Sequence, residues 1–204
     1  MIGSRIALFA VVFAALAALT FAAGSGVNLT VTSACTSNVN GNLTLSQNVS
    51  ANGTCFVITA DNVTFDCANH IITGNGSGIG IYAPNRTNIT IVNCTINRFY
   101  SGIVFNKTNS SLMYNNSFDL NGKAGIFLIG SNSNNITKNL NTNTSDSCTY
   151  AGTQHCVYSD PRDESGIALC DSSNSNRIED FTLYGLSPGN AECGVDAVIS
   201  FVVR

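Results

Sequence analysis

Internal repetition constrains this 204-residue chain more than any other feature. GIGIYAPNRTNITIVNCTINRFYS begins at Gly78, and GIVFNKTNSSLMYNNSFDLNGKA begins at Gly102. A third copy opens at Gly125 (GIFLIGSNSNNITKN) and a fourth at Gly166 (GIALCDSSNSNRIED). Each starts Gly-Ile/Val, crosses a polar turn and resumes with apolar residues. Asn88, Asn135 and Asn176 fall ten residues after their glycines, with Ser111 at nine, and are read as one stacked column. A period of 23–24 residues is the mark of a solenoid, in which each copy buries its apolar face only against its neighbours.

The spacing inside each copy says which solenoid. Ile79 and Ile81, Ile89 and Ile91, Ile103 and Phe105, and Ile126 and Leu128 alternate with other residues, which is the two-residue period of strands. The apolar runs are short and bounded by Asn, Gly and Ser, so each copy reads as three short strands joined by turns. The regular leucine spacing of leucine-rich repeats is missing, and no segment after the N-terminus carries a helical stripe. The pattern resembles the right-handed parallel β-helix. That resemblance implies an all-β solenoid of about six coils, with Ile79, Ile81, Ile89, Ile91, Ile96, Ile103, Phe105, Leu112, Ile126, Leu128, Ile136, Ile167, Leu169 and Ile178 facing inward.

The chain opens with Arg5 and an apolar run from Ile6 to Ala23, the layout of a secretory signal or an N-terminal membrane anchor. The expected organisation is a signal segment over 1–24, an N-terminal cap over 25–54 and the β-helix over 55–204. Export to the cell surface or outside follows. Charged residues are only 10% and the net charge is −3, which argues against nucleic acid as a partner and leaves membrane contact to the N-terminal segment.

Eight cysteines in an exported chain favour disulfides over metal, and two histidines without a Cys-x2-Cys pair argue against zinc. Cys148 and Cys156 are close enough in one loop to bond, and Cys35 and Cys55 flank the first coil as a clamp. Cys67 and Cys94 occupy related places in adjacent coils, where a disulfide and a buried thiol ladder are both open. Cys170 and Cys193 are left.

Fourteen Asn-x-Ser/Thr sequons occur among 27 asparagines. Asn tolerates the left-handed backbone of tight turns, so the fold itself calls for many of them. Asn62, Asn88 and Asn135 are expected to stack inside as ladder residues, unfit for glycans. Asn75, Asn106 and Asn143 are the expected exposed acceptors.

From Gly125 to Gly166 there are 41 residues, so about 18 have been inserted near 144–165. The insertion holds Tyr150, Tyr158, His155 and the charged group Asp160, Arg162, Asp163 and Glu164, a candidate ligand-binding loop. Families that share the β-helix include pectate lyases, polygalacturonases, alginate epimerases and the periplasmic copper-binding β-helix domain. The polygalacturonase motifs are missing, since Arg177-Ile178-Glu179 lacks the lysine of Arg-Ile-Lys. Acids are sparse along the regular coils, and Asp66 reads as a turn-capping residue. Copper would want more His and Met than this chain has. No catalytic residue, metal ligand or cofactor is therefore assigned. The reading is a non-catalytic exported envelope protein that binds a polysaccharide or another envelope protein. A lyase- or epimerase-like enzyme is the alternative.

Overall fold

The computed structural model describes residues 29–32, 34–142, 156–158, 165–170, 173–184 and 198–203, and every regular element among them is a strand. The described chain enters with β1 (Leu29–Thr32); the turn after it contains β2 (Thr36–Val39), β3 (Asn42–Leu45) and β4 (Val49–Ser50), and β1 stacks on β3. Three strands per turn follow: β5 (Phe56–Ile58), β6 (Thr64–Asp66) and β7 (Ile71–Thr73), then β8 (Ile79–Pro84), β9 (Thr90–Val92) and β10 (Thr95–Asn97). Next come β11 (Ser101–Asn106), β12 (Leu112–Tyr114) and β13 (Ser117–Asp119), then β14 (Ala124–Ile129), β15 (Asn135–Thr137) and β16 (Leu140–Thr142). The last elements are β17 (Cys156–Tyr158), β18 (Ser165–Cys170), β19 (Arg177–Tyr184) and β20 (Val198–Val203).

Each strand pairs in parallel with its counterpart one turn away, which produces three long faces. The first face runs β2-β5-β8-β11-β14-β18, with β17 added antiparallel at its end. The second runs β1-β3-β6-β9-β12-β15-β19, and the third runs β4-β7-β10-β13-β16-β19, since β19 continues around their shared corner. The result is an all-β parallel solenoid of about five turns, against the six expected from length. β1 to β4, within the stretch expected to form a cap, already pair in parallel with the turn that follows.

Stacking fills the interior with columns of like residues. Phe56, Ile81, Ile103, Ile126 and Ile167 align in one, and Phe65, Ile91, Met113, Ile136 and Ile178 in another. All are buried, and each such side chain stabilises the fold by about 1.5–3 kcal/mol. Gly102 is required because a Cβ there would meet the Gly125 carbonyl at 2.5 Å and the Phe118 ring at 2.6 Å.

The corners explain the asparagines. At the corner between first and second faces, Asn62, Asn88, Ser110, Ser133 and Ser175 all have φ between 52° and 59°. Asn93, Asn115 and Lys138 do the same between second and third faces, and Arg98 and Leu120 between third and first. The residue after each points inward: Val63, Ile89, Ser111, Asn134 and Asn176 at the first corner, Cys94, Asn116 and Asn139 at the second, Phe99 and Asn121 at the third. A left-handed residue reverses the chain sharply at small cost when it is Asn, which favours that region several-fold over other non-glycine residues.

Three expectations need correction. The glycine equivalent to Gly102, Gly125 and Gly166 is Gly80, because Ile81 pairs with Ile103 and Ile79 with Ser101. In the observed register, the buried column is Ile89, Ser111, Asn134 and Asn176. Asn62, Asn88 and Asn135 are therefore exposed rather than stacked inside. Ile79 packs on the outer side of the first face, and Leu112 aligns with Thr90 and Asn135 on the outward column of the second while Met113 takes the core.

Candidate functional site

The carboxylates come first, because the enzyme reading depends on them. Asp61 Oδ1 accepts the Thr87 amide at 2.9 Å and faces Arg86 at 3.8 Å. Asp66 Oδ1 accepts the Ala68 amide at 2.8 Å and the Asn93 side chain at 3.1 Å, the turn-capping role read from the sequence. Asp119 Oδ1 accepts the Thr142 hydroxyl at 2.9 Å. Glu179 pairs with the exposed Arg177, whose guanidinium is held above its usual pKa by that hydrogen bond and then by the carboxylate charge. These four acids thus take part in turns, strand contacts or an ion pair. Among the described residues no three His, Cys, Asp or Glu side chains converge as metal ligands would.

The first face is apolar on both sides. Tyr82, Val104, Phe127 and Ala168 form an outward column, flanked by Ile79, Ala124 and Ile129. The sequence carried this signal in GIVF and GIFLI, continuous apolar runs that mark a strand covered on two faces. At the corner beside this column lie the two large apolar side chains that stay exposed among the described residues, Tyr100 at 51% and Leu120 at 47%. Leu120 and Arg98 hold equivalent left-handed positions one turn apart, and Arg98 is exposed. A bulky non-glycine residue in that region costs roughly 1–2 kcal/mol, so keeping leucine there, exposed, is a cost without a folding return.

Lys123 completes the corner. Its amide donates to the Tyr100 carbonyl at 2.6 Å, and its Nζ lies 4.4 Å from the Phe127 ring centre and 5.7 Å from that of Tyr100. Only 2% of Lys123 is exposed, so its cation sits against two aromatic rings beneath the patch. Arg98, Tyr100, Leu120 and Lys123 were not singled out in the sequence. The signal that marks Arg98 and Leu120 is the presence of Arg and Leu where the turn calls for Asn.

The predicted residues divide as follows. Cys35 and Cys55 are bonded, with Cα atoms 4.8 Å apart, as expected of a clamp. Cys67 and Cys94 are also bonded, again at 4.8 Å, which decides between disulfide and thiol ladder. Cys67 follows Asp66, the partner of Val92, while Cys94 lies two residues beyond Val92, so the side chains converge instead of running parallel. Asn75 is exposed; Asn106 is half-buried and its Nδ2 donates to the Tyr82 hydroxyl at 3.4 Å. Cys156 and Tyr158 belong to β17, whose backbone is described. Asn143, Cys148, Tyr150, Asp160, Arg162, Asp163 and Glu164 lie outside the described residues, as does the expected signal segment.

Several of the sequons follow the corner rule. In Asn62-Val63-Thr64, Asn88-Ile89-Thr90 and Asn93-Cys94-Thr95, a left-handed asparagine precedes an inward residue and a strand-opening threonine. The fold alone generates this spelling.

Comparison with known families gives one result over most of the chain. The profile described as "Right handed beta helix region" matches residues 25–198. No curated protein and no solved structure matches the chain.

Proposed function

Because the chain belongs to the right-handed β-helix family, we propose that it is an exported, non-catalytic surface protein that grips a polysaccharide or an envelope partner at the Arg98–Tyr100–Leu120 corner. The observation that carries this reading is the concentration of exposed Tyr100 and Leu120 at one left-handed corner, next to Arg98. An aromatic face beside a cation suits a sugar ring or a partner hot spot. Two disulfides and the apolar N-terminal run support export. The engagement of Asp61, Asp66 and Asp119 in structure favours binding over chemistry. The insertion, with Tyr150, Tyr158 and Arg162, is a second contact region in the same proposal.

Binding is tested on immobilised acidic and neutral polysaccharides and on isolated envelope. Tyr100→Ala should weaken retention by roughly tenfold while the melting temperature falls only slightly, since the ring is half exposed and its contact with Lys123 is worth about 0.5–1 kcal/mol. Equal retention of the variant on every surface would remove the corner from the proposal. Turnover of pectate or alginate with calcium, lost in Asp163→Asn, would bring the enzyme alternative forward.

A further inference from the structure

We infer that Cys156 and Cys170 form a third disulfide, which staples a β-hairpin across the end of the first face. β17 is the one antiparallel strand among the described residues of that face, and its register on β18 pairs Cys156 with Cys170, Val157 with Leu169 and Tyr158 with Ala168. Directly opposed residues in an antiparallel pair have Cα atoms about 4.5–5.5 Å apart. That range falls inside the window of about 4.4–6.8 Å that a disulfide spans without backbone movement. The two bonds already described obey the same logic, each joining neighbouring strands or turns at a Cα separation of 4.8 Å.

The register places the cysteine pair at the open end of the hairpin, away from the connection between Tyr158 and Ser165. A bond there closes the hairpin from the side that would otherwise fray. It also fixes an antiparallel strand over the edge of a face built from parallel strands, an edge that would otherwise offer unpaired amides and carbonyls to another chain. This pairing competes with Cys148–Cys156, the pairing suggested by closeness in sequence, and it leaves Cys148 and Cys193 over.

The chemistry is thiol–disulfide exchange with a disulfide donor of the exporting compartment. The thiolate of one cysteine attacks the donor disulfide, forming a mixed disulfide and releasing one donor thiolate. The second cysteine's thiolate then attacks the protein sulfur of that mixed disulfide and releases the other donor thiolate. Two cysteine thiols lose two protons and two electrons, and the donor disulfide becomes a dithiol.

The test is peptide mapping of the full exported chain, alkylated without reduction. The inference predicts a peptide pair joining Cys156 to Cys170, unchanged in Cys148→Ser. In Cys170→Ser, Cys156 should become alkylatable while the Cys35–Cys55 and Cys67–Cys94 pairs persist, which shows that the coils remain folded. Cys156 joined to Cys148 or Cys193, or alkylated in the unmodified chain, would overturn it.

Discussion

The first turns and the later turns solve the same corner in different ways. At the corner between second and third faces, the first two inward positions are Cys67 and Cys94, joined by a disulfide. The next two are Asn116 and Asn139. Asn116 Oδ1 accepts the Cys94 amide at 3.0 Å, its Nδ2 donates to the Ile91 carbonyl at 3.0 Å, and its own amide donates to Asn139 Oδ1 at 2.9 Å. The neighbouring corner repeats the division, with Val63 and Ile89 early, then Ser111, Asn134 and Asn176 in a hydrogen-bonded ladder. The comparison teaches that a stacked corner needs its inward-facing amides satisfied and its turns tied together. A covalent bond ties the early turns; buried carboxamides do both jobs in the later ones.

The largest effect expected is common to both regions. Ile103→Asp puts an unpaired charge where the side chain is fully buried, and should cost more than about 4 kcal/mol, seen as loss of the β signature in circular dichroism. A melt close to that of the unmodified chain would break the stacked-core description for early and late turns alike.

The two corner solutions are then compared directly. Asn116→Ala strands the buried Cys94 amide, at about 1–3 kcal/mol, and takes one donor from the Ile91 carbonyl. Removing the Cys67–Cys94 bond, which links residues 27 apart, should cost about 3–4 kcal/mol in chain-entropy terms. Reductant should therefore lower the melting temperature of the unmodified chain and of Asn116→Ala, and should no longer act through this bond in Cys67→Ala/Cys94→Ala. A sharper version replaces both cysteines with asparagine, extending the ladder downward. That double variant should recover roughly 1–2 kcal/mol over the double alanine, one or two hydrogen bonds' worth. If it is no more stable, the ladder cannot stand in for the disulfide.

How much of this could be read in the sequence depends on what each residue type signals. The glycine period and the alternation of Ile103 with Phe105 and Ile126 with Leu128 determined the coil, because an inward strand position accepts little else. The ladder was placed one residue off at Asn88, the left-handed corner before inward Ile89, and at Asn135, the strand residue after inward Asn134, since all these positions accept Asn. Asn134-Asn135 places two asparagines side by side, and only the pairing of β12 with β15 tells which one is buried. The exposed corner was missed for the opposite reason. Arg98 and Leu120 break the asparagine pattern, and in one sequence a break looks like noise.

The smallest effects belong to that corner. Leu120→Gly should be neutral or stabilising by less than about 1 kcal/mol, because relief of the left-handed strain exceeds the added chain entropy only slightly. Its Tm belongs beside its retention on envelope: unchanged stability with lost retention would assign Leu120 to binding rather than to folding.

Amide hydrogen exchange with and without reductant most directly tests the division between early and late turns. After reduction, the early strands β5, β6 and β7 should lose most of their protection while β11 to β16 keep theirs, because Cys35–Cys55 and Cys67–Cys94 tie the early turns, whereas a Cys156–Cys170 bond joins only β17 to β18. Protection lost equally in both regions, or lost first from β12 to β16, would contradict it.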